Sequence, residues 1–266
     1  ETDYVQHHIQ KVVAFFAAMR AFASERQAEC HQFIYLSLED QQNLQDITQN
    51  LDRIIEEYEI KRFEYQLPDE YRLDQQMEAY ASHLKITTSI ADTEHFLTKR
   101  DDLKEIFKGK KTYLMESFYR KMRKKYGIMM ETEDKPITGK WNYDAANRNR
   151  YDEAIPIPAP LSFKRDVKSL VHMIQSEGVK TFGEINQDDF IWPVTRKEAL
   201  QALDFFIQKG LPQFGTYQDS MTKEYWSLFH ARSSFPLNSK ILSPLEVVMR
   251  TVDAWEKDKE HIDIAQ

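Results

Sequence analysis

The sequence predicts an α/β domain followed by an all-helical one, joined by a long basic connector. Three observations carry this. Over residues 33–90, strand-like and helix-like patterns alternate at the interval of βαβ units, which implies a parallel sheet. Beyond Tyr151 only helical periodicity remains. Between them, residues 108–151 resemble neither flank: eight Lys or Arg side chains and one acid, Glu116, fall within 108–125 alone. The expected division is 1–107 for the parallel-sheet α/β domain, 108–160 for the connector and 161–266 for the helical domain.

In order, Val5, Ile9, Val12, Val13, Phe16, Met19 and Phe22 trace one face of a helix from about Tyr4 to Ala28. FIYLSL (33–38) reads as a buried strand. Leu44, Ile47, Leu51, Ile54, Ile55 and Tyr58 mark a second helix, RFEYQL (62–67) a second strand, 73–84 a third helix and KITTSI (85–90) a third strand. Right-handed crossovers would put helices on both faces of this sheet. A strand ahead of Glu1 would complete it. In the connector, Met115, Phe118, Tyr119, Met122 and Tyr126 recur at helical spacing, with Arg120, Lys121, Arg123, Lys124 and Lys125 around them. EAIPIPAPL, with Pro156, Pro158 and Pro160, favours extended backbone and reads as a linker. Phe163, Val167, Leu170, Val171 and Ile174 mark the next helix. Thr195 and Glu198 form a capping box that opens another, with Gly210 to close it. Ser243, Pro244 and Glu246 open a last helix, packed through Leu245, Val248, Met249, Val252 and Trp255.

Composition narrows the function. Over 266 residues, hydrophobic content of 41% and aromatic content of 12% support a folded core, not a disordered chain. A net charge of −7 excludes a generic nucleic-acid coat and leaves such contact to a local patch. Cys30 is the single cysteine, so no intrachain disulfide forms and a reducing, cytoplasmic setting is expected. No run approaches the ~20 apolar residues of a membrane span. Seven glycines, none in a G-x-G-x-x-G or P-loop, argue against a Gly-rich nucleotide site. His7 and His8 are adjacent, which on a helix sets them about 100° apart, unsuited to gripping one metal. No metal site and no catalytic residue is assigned. The basic helix fits two readings, a phosphate-contacting face or a solvated one. The loop with His230, Arg232, Ser233, Ser234 and Asn238 also fits two, a phosphate cradle or an ordinary interhelical loop.

Five segments then point one way: YVQHHIQKVVAFFAAMRAFA, KKTYLMESFYRKMRKKYG, GKWNYDAANR, FGTYQDSM and SSFPLNSKILSP. In order and spacing they resemble the deoxyribodipyrimidine photolyase-related proteins, the prokaryotic iron–sulfur branch of the photolyase/cryptochrome superfamily. The resemblance implies an α/β antenna domain, a connector near the DNA groove, and a helical domain that buries FAD. It implies light-driven repair, in which reduced FAD passes an electron to an ultraviolet pyrimidine photoproduct of (6-4) type in damaged DNA. An antenna pigment, in some members a ribityl-lumazine, harvests light, and a [4Fe–4S] cluster sits on cysteines. Carried onto this chain, it places Glu1, Tyr4 and His7 at the antenna pocket. It places Gln218, Asp219, His230, Ser234 and Asn238 at the flavin. It favours phosphate contact for Lys110, Arg120, Arg123 and Lys124. Ala231 replaces a usual hydroxyl, and Lys240 stands where a glycine is common. Cys30 alone cannot ligate the cluster, so the chain is expected to be the N-terminal portion of a longer DNA photolyase, inactive by itself. The alternative is a non-catalytic, cryptochrome-like light-sensing or nucleic-acid-binding module without flavin or cluster.

Overall fold

The computed structural model describes every residue except Glu1 and Asp3. In chain order the elements are β1 (His7–His8), α1 (Ile9–Ala28), α2 (Ile47–Glu57), β2 (Arg62–Gln66), α3 (Tyr71–His83) and β3 (Thr87–Ala91). Then come α4 (Asp102–Ile106), α5 (Met115–Tyr126), α6 (Lys168–Ser176), β4 (Thr181–Phe182), α7 (Arg196–Phe205), α8 (Leu211–Tyr217), α9 (Ser234–Asn238) and α10 (Pro244–Lys257). The chain divides into two compact units. The first is Glu1–Phe96 with Val167–Gln187, and the second Leu97–Asp166 with Asp188–Gln266. The architecture is mixed α/β with small parallel sheets.

In the first unit, the apolar stripe of α1 buries Ile9, Val12, Val13, Ala14 and Ala17. It packs on α6, whose Leu170, Val171, Met173 and Ile174 are buried. The Arg20 guanidinium donates to Met173 Sδ at 3.2 Å across this contact. The helix starts at Ile9, not Tyr4. His8 ends the preceding strand and caps α1, its Nδ1 accepting from Gln10 N at 3.2 Å. His7 and His8 therefore lie on a strand, where neighbours point to opposite faces. β1 pairs in parallel with β4, His7 opposite Thr181. Gly183 follows with φ +80°, and a Cβ there would collide with the His8 imidazole.

The second parallel pair is β2 with β3, Arg62 opposite Thr87 through Gln66 opposite Ala91. Phe63 and Tyr65 are half-buried, while Arg62, Glu64 and Gln66 are exposed, so one face of β2 is covered. Phe63 meets Tyr80 of α3 edge-to-face at 5.9 Å. The expected first strand, 33–38, is absent. Its carbonyls accept side-chain amides instead of a ladder: Gln27 Nε2 donates to Phe33 O, Asn43 Nδ2 to Ser37 O and Gln45 Nε2 to Leu38 O. The sheet is accordingly two-stranded among the described residues.

In the second unit, Thr195 caps α7 by accepting from Glu198 N at 3.2 Å. Glu198 accepts from Val194 N and Thr195 N and also holds Arg165 at 2.5 Å. Gly210 does not end this helix. Phe206–Gly210 widen into a π-turn, with Leu211 N bonded to Phe206 O, and the chain continues into α8 through Pro212. Proline cannot supply the helical N–H, and a local wide turn absorbs that loss. Gly210 serves packing: a Cβ there would stand 2.8 Å from Phe229 O. Arg196 grips both carboxylate oxygens of Glu246 at 2.8 Å, tying α7 to α10. The core gathers Ala199, Leu203, Phe206, Leu211, Leu242 and Ile262. From α10 it receives Val247, Ala254 and Trp255, whereas Met249 faces out. The proline segment is no loose linker: Tyr151, Ile155 and Ile157 pack on Tyr217, Leu228 and Phe229.

Asp46 caps α2. It accepts from Thr48 Oγ1 at 2.5 Å and from the backbone N–H groups of Thr48 and Gln49. The Thr48 hydroxyl, then the Gln49 N–H, hold this carboxyl below its ordinary value of 3.8. A folded-state pKa below the unfolded one gives stability that is present above the unfolded value and lost as pH falls through the folded one. Asp46→Asn should therefore flatten the acid limb of a Tm-against-pH curve. An unchanged limb would show that Asp46 carries none of it.

Candidate functional site

In the first unit, the loops beyond the carboxyl ends of β2 and β3 are where ligands of parallel sheets bind. His95 Nδ1 stands 2.6 Å from Asp69 Oδ2, joining the two loops. Arg72, held by Glu70 at 2.8 Å, lies with its guanidinium 3.5 Å from the Tyr4 ring centroid and bonds the Tyr4 hydroxyl. Tyr4 is thus drawn to the first turn of α3. His7 sits on β1, with Lys11 Nζ 3.3 Å from its Nδ1. Glu1 lies outside the described residues.

In the second unit, α5 begins at Met115, so Lys110 precedes it, exposed. Arg123 is 9% exposed. Its Nε donates to Ile128 O at 3.1 Å, Nη1 to Trp141 O at 3.0 Å and Nη2 to Met129 O at 2.6 Å. With three of its five N–H groups on carbonyls, the Arg123 guanidinium has a fold-holding role beside the DNA contact expected of it from the sequence. The other cations of the helix face carboxylates or carbonyls. Arg120 pairs with Glu116 at 2.8 Å, Lys124 with Asp134 at 2.6 Å and Lys125 with Asp102 at 3.0 Å. Lys121 donates to Ile106 O. Lys124, by its hydrogen bond, holds the Asp134 carboxyl below the usual range. Trp141 has the guanidinium carbons of Arg120 and Arg123 at 5.2 and 5.4 Å from its ring centroid, and Lys124 Nζ at 5.8 Å. Sequence reasoning passed over Trp141 as a seat for cations. The acid turn ETEDK was the legible sign that α5 is locally neutralised.

A cavity of about 810 Å³ opens within this unit, walled by Met122, Trp141, Phe214, Val248 and Trp255. Asn147, Gln218 and Thr251 add polar atoms to a largely apolar lining, and Glu116, Arg123, Lys140, Asp144 and Asp263 bring charged groups to it. Asn147 Oδ1 is buried there without a hydrogen-bond partner, while its backbone O accepts from Asp219 N at 3.1 Å. An apolar cavity of this size with a few polar groups has the form of a small-molecule site, and a buried orphan acceptor calls for a donor.

The flavin candidates divide around it. Gln218 lines the cavity together with Ala231. Asp219 pairs with Arg148 at 3.4 Å. His230 instead lines a small crevice with Pro158, Pro160 and Arg232. Ser234 opens α9, and its carbonyl accepts from Asn238 Nδ2 at 2.7 Å. Lys240 has φ 61°, the left-handed backbone that suits glycine. Among the described residues, no three His, Cys, Asp or Glu side chains are grouped to hold a metal, and Cys30 is exposed. No described helix is long and apolar enough to cross a membrane.

Removing Arg123 takes a donor from three carbonyls, of which Met129 O keeps the Ile137 N–H. Arg123→Ala should cost about 2–3 kcal/mol, read as a Tm several degrees lower. Arg120→Ala, at an exposed pair, should change Tm little. Equal effects of the two would refute the assignment.

Comparison with known proteins agrees with the sequence resemblance. A profile of the family described as deoxyribodipyrimidine photo-lyase-related protein matches residues 1–190. A protein named (6-4) photolyase from Agrobacterium fabrum (strain C58 / ATCC 33970) is 32% identical over 259 residues, 97% of this chain. The chain spans about half the length of that curated relative, 50% of it.

Proposed function

Because the chain belongs to the deoxyribodipyrimidine photo-lyase-related family, we propose that it serves light-driven DNA repair, with FAD as cofactor and a pyrimidine photoproduct of (6-4) type as substrate. The observation that carries this is the apolar cavity bearing the orphan acceptor of Asn147 beside Gln218. Reduced flavin, when bound and excited by light, supplies the electron for repair. The chain's own part is to hold and shield the ring. Met122, Trp141 and Trp255 exclude water. Asn147 Oδ1 and the Gln218 amide, both on this lining, would be the groups that hold the flavin by hydrogen bonds. Asp219 and Arg148 fix the segment that carries Asn147. With Cys30 as its single cysteine, the chain's donor set does not fit an iron–sulfur cluster.

In the first unit, Tyr4 and His7, with Glu1 ahead of them, serve an antenna pigment such as a ribityl-lumazine. The first turn of α3 supports this through Arg72, which fixes Tyr4. The antenna role falls to the first unit, with which 167–187 belong, and the flavin role to the second. There residues 108–160 supply Met122, Trp141 and Asn147 to the cavity. Duplex contact falls to Lys110, Arg120 and Lys124, the last two by exchanging exposed carboxylates for phosphates. Exposed pairs of this kind are weak enough to be exchanged.

The protein is tested by its colour and by its repair. Bound FAD should give flavin absorbance, and Asn147→Leu should weaken flavin binding about tenfold, the loss of one buried hydrogen bond. Protein expressed from the full-length gene that takes up no flavin and leaves (6-4) lesions intact under blue light overturns the reading. Independently, replacing Lys110, Arg120 and Lys124 by Ala should weaken duplex binding and lower its salt slope by about two to three. An unchanged slope returns α5 to a solvated face.

A further inference from the structure

We propose that Trp226, Trp192 and Arg232 form a binding site for an unpaired nucleotide, its base on the indole and its phosphate on the guanidinium. The Arg232 guanidinium carbon lies 5.1 Å from the Trp226 ring centroid and 6.0 Å from that of Trp192. The two indoles meet edge-to-face at 6.3 Å. Arg232 Nη2 donates to Leu161 O at 2.6 Å. No carboxylate pairs with this guanidinium among the described residues, and Nε and Nη1 keep their donors. Arg120, Arg148, Arg165, Arg196 and Arg250 of the same unit all hold carboxylates. Arg232 is half-buried, and desolvation lowers its pKa from the ordinary arginine value. A partly desolvated cation without an anion attracts one from solution, and a planar fork suits phosphate.

The surroundings favour a ring beside that anion. Trp226 is 62% exposed, so core packing does not account for its place. Arg232 adopts φ 51° and Leu228 φ 42°, backbone that side-chain-bearing residues avoid. The segment thus accepts unfavourable backbone while presenting an indole and a cation together at the surface. An open indole face stacks a base only when that base is out of its duplex. Trp192, Trp226 and Arg232 are not among the residues that line the proposed flavin cavity; their neighbour Ala231 lines it, while His230 and Arg232 line a small crevice.

The test follows tryptophan fluorescence of the 266-residue chain during titration with a short oligo(dT), with dTMP and FAD in parallel. Oligo(dT) should quench, and Trp226→Ala should weaken binding about tenfold at unchanged thermal unfolding. Trp226→Phe should retain most of it. Arg232→Gln should lower the salt slope by about one. Quenching by dTMP as well identifies a free nucleotide as the source, and quenching by oligo(dT) alone identifies a strand. FAD should not displace the oligonucleotide. The proposal is overturned if oligo(dT) does not bind, if Trp226→Ala binds like the parent, or if FAD displaces it. Full-length protein that is colourless and still binds oligo(dT) would refute the flavin reading and leave this site standing.

Discussion

The second unit depends on one guanidinium. Arg123 reaches out of α5 to three carbonyls, two in the turn after the helix and one at Trp141. Met129 O also accepts from Ile137 N beside the Met130–Pro136 bridge, and the guanidinium joins that short pairing to Ile128 O and Trp141 O. A planar group with five donors meets the need that regular structure would otherwise meet. It also sets the position of Trp141, and Trp141 is a wall of the cavity. The most unusual stretch of the sequence is therefore first an architectural device.

Charge on α5 is arranged around that centre. Glu116, Asp134 and Asp102 come from three different segments and meet Arg120, Lys124 and Lys125. These pairs are exposed and add little stability. Their effect is to lower the field that a basic helix would project, in keeping with the net negative chain. Arg232 follows the opposite logic: one cation, no acid, partial burial.

Much of the local structure was legible in the sequence. The capping box at Thr195, Pro244 at the start of α10, and the parallel pairing of β2 with β3 rest on local rules, and they appear as read. What was hidden depended on distant partners. FIYLSL has strand composition, but Gln27, Asn43 and Gln45 take its carbonyls. Gly210 looks like a stop until Pro212 and Phe229 are in place. Arg123 is indistinguishable in sequence from its basic neighbours; only its depth separates it. Of the site, Gln218 was singled out as a flavin contact by resemblance, and it lies on the cavity lining. Asn147 was not, because an orphaned oxygen is a property of packing. Arg232 was noticed in its loop, without the two indoles that define its setting.

The pairing of β1 with β4 has a consequence for biogenesis. His7 and Thr181 are joined across nearly the whole match to the family profile. On a ribosome, α1 must wait for α6 and β4 before its apolar stripe is covered, although all of residues 97–166 emerge in between. Closing so long a loop is slow, and an uncovered stripe invites association meanwhile. Nascent chains stalled before residue 167 should thus be the form that chaperones hold, and release should follow once α6 is out.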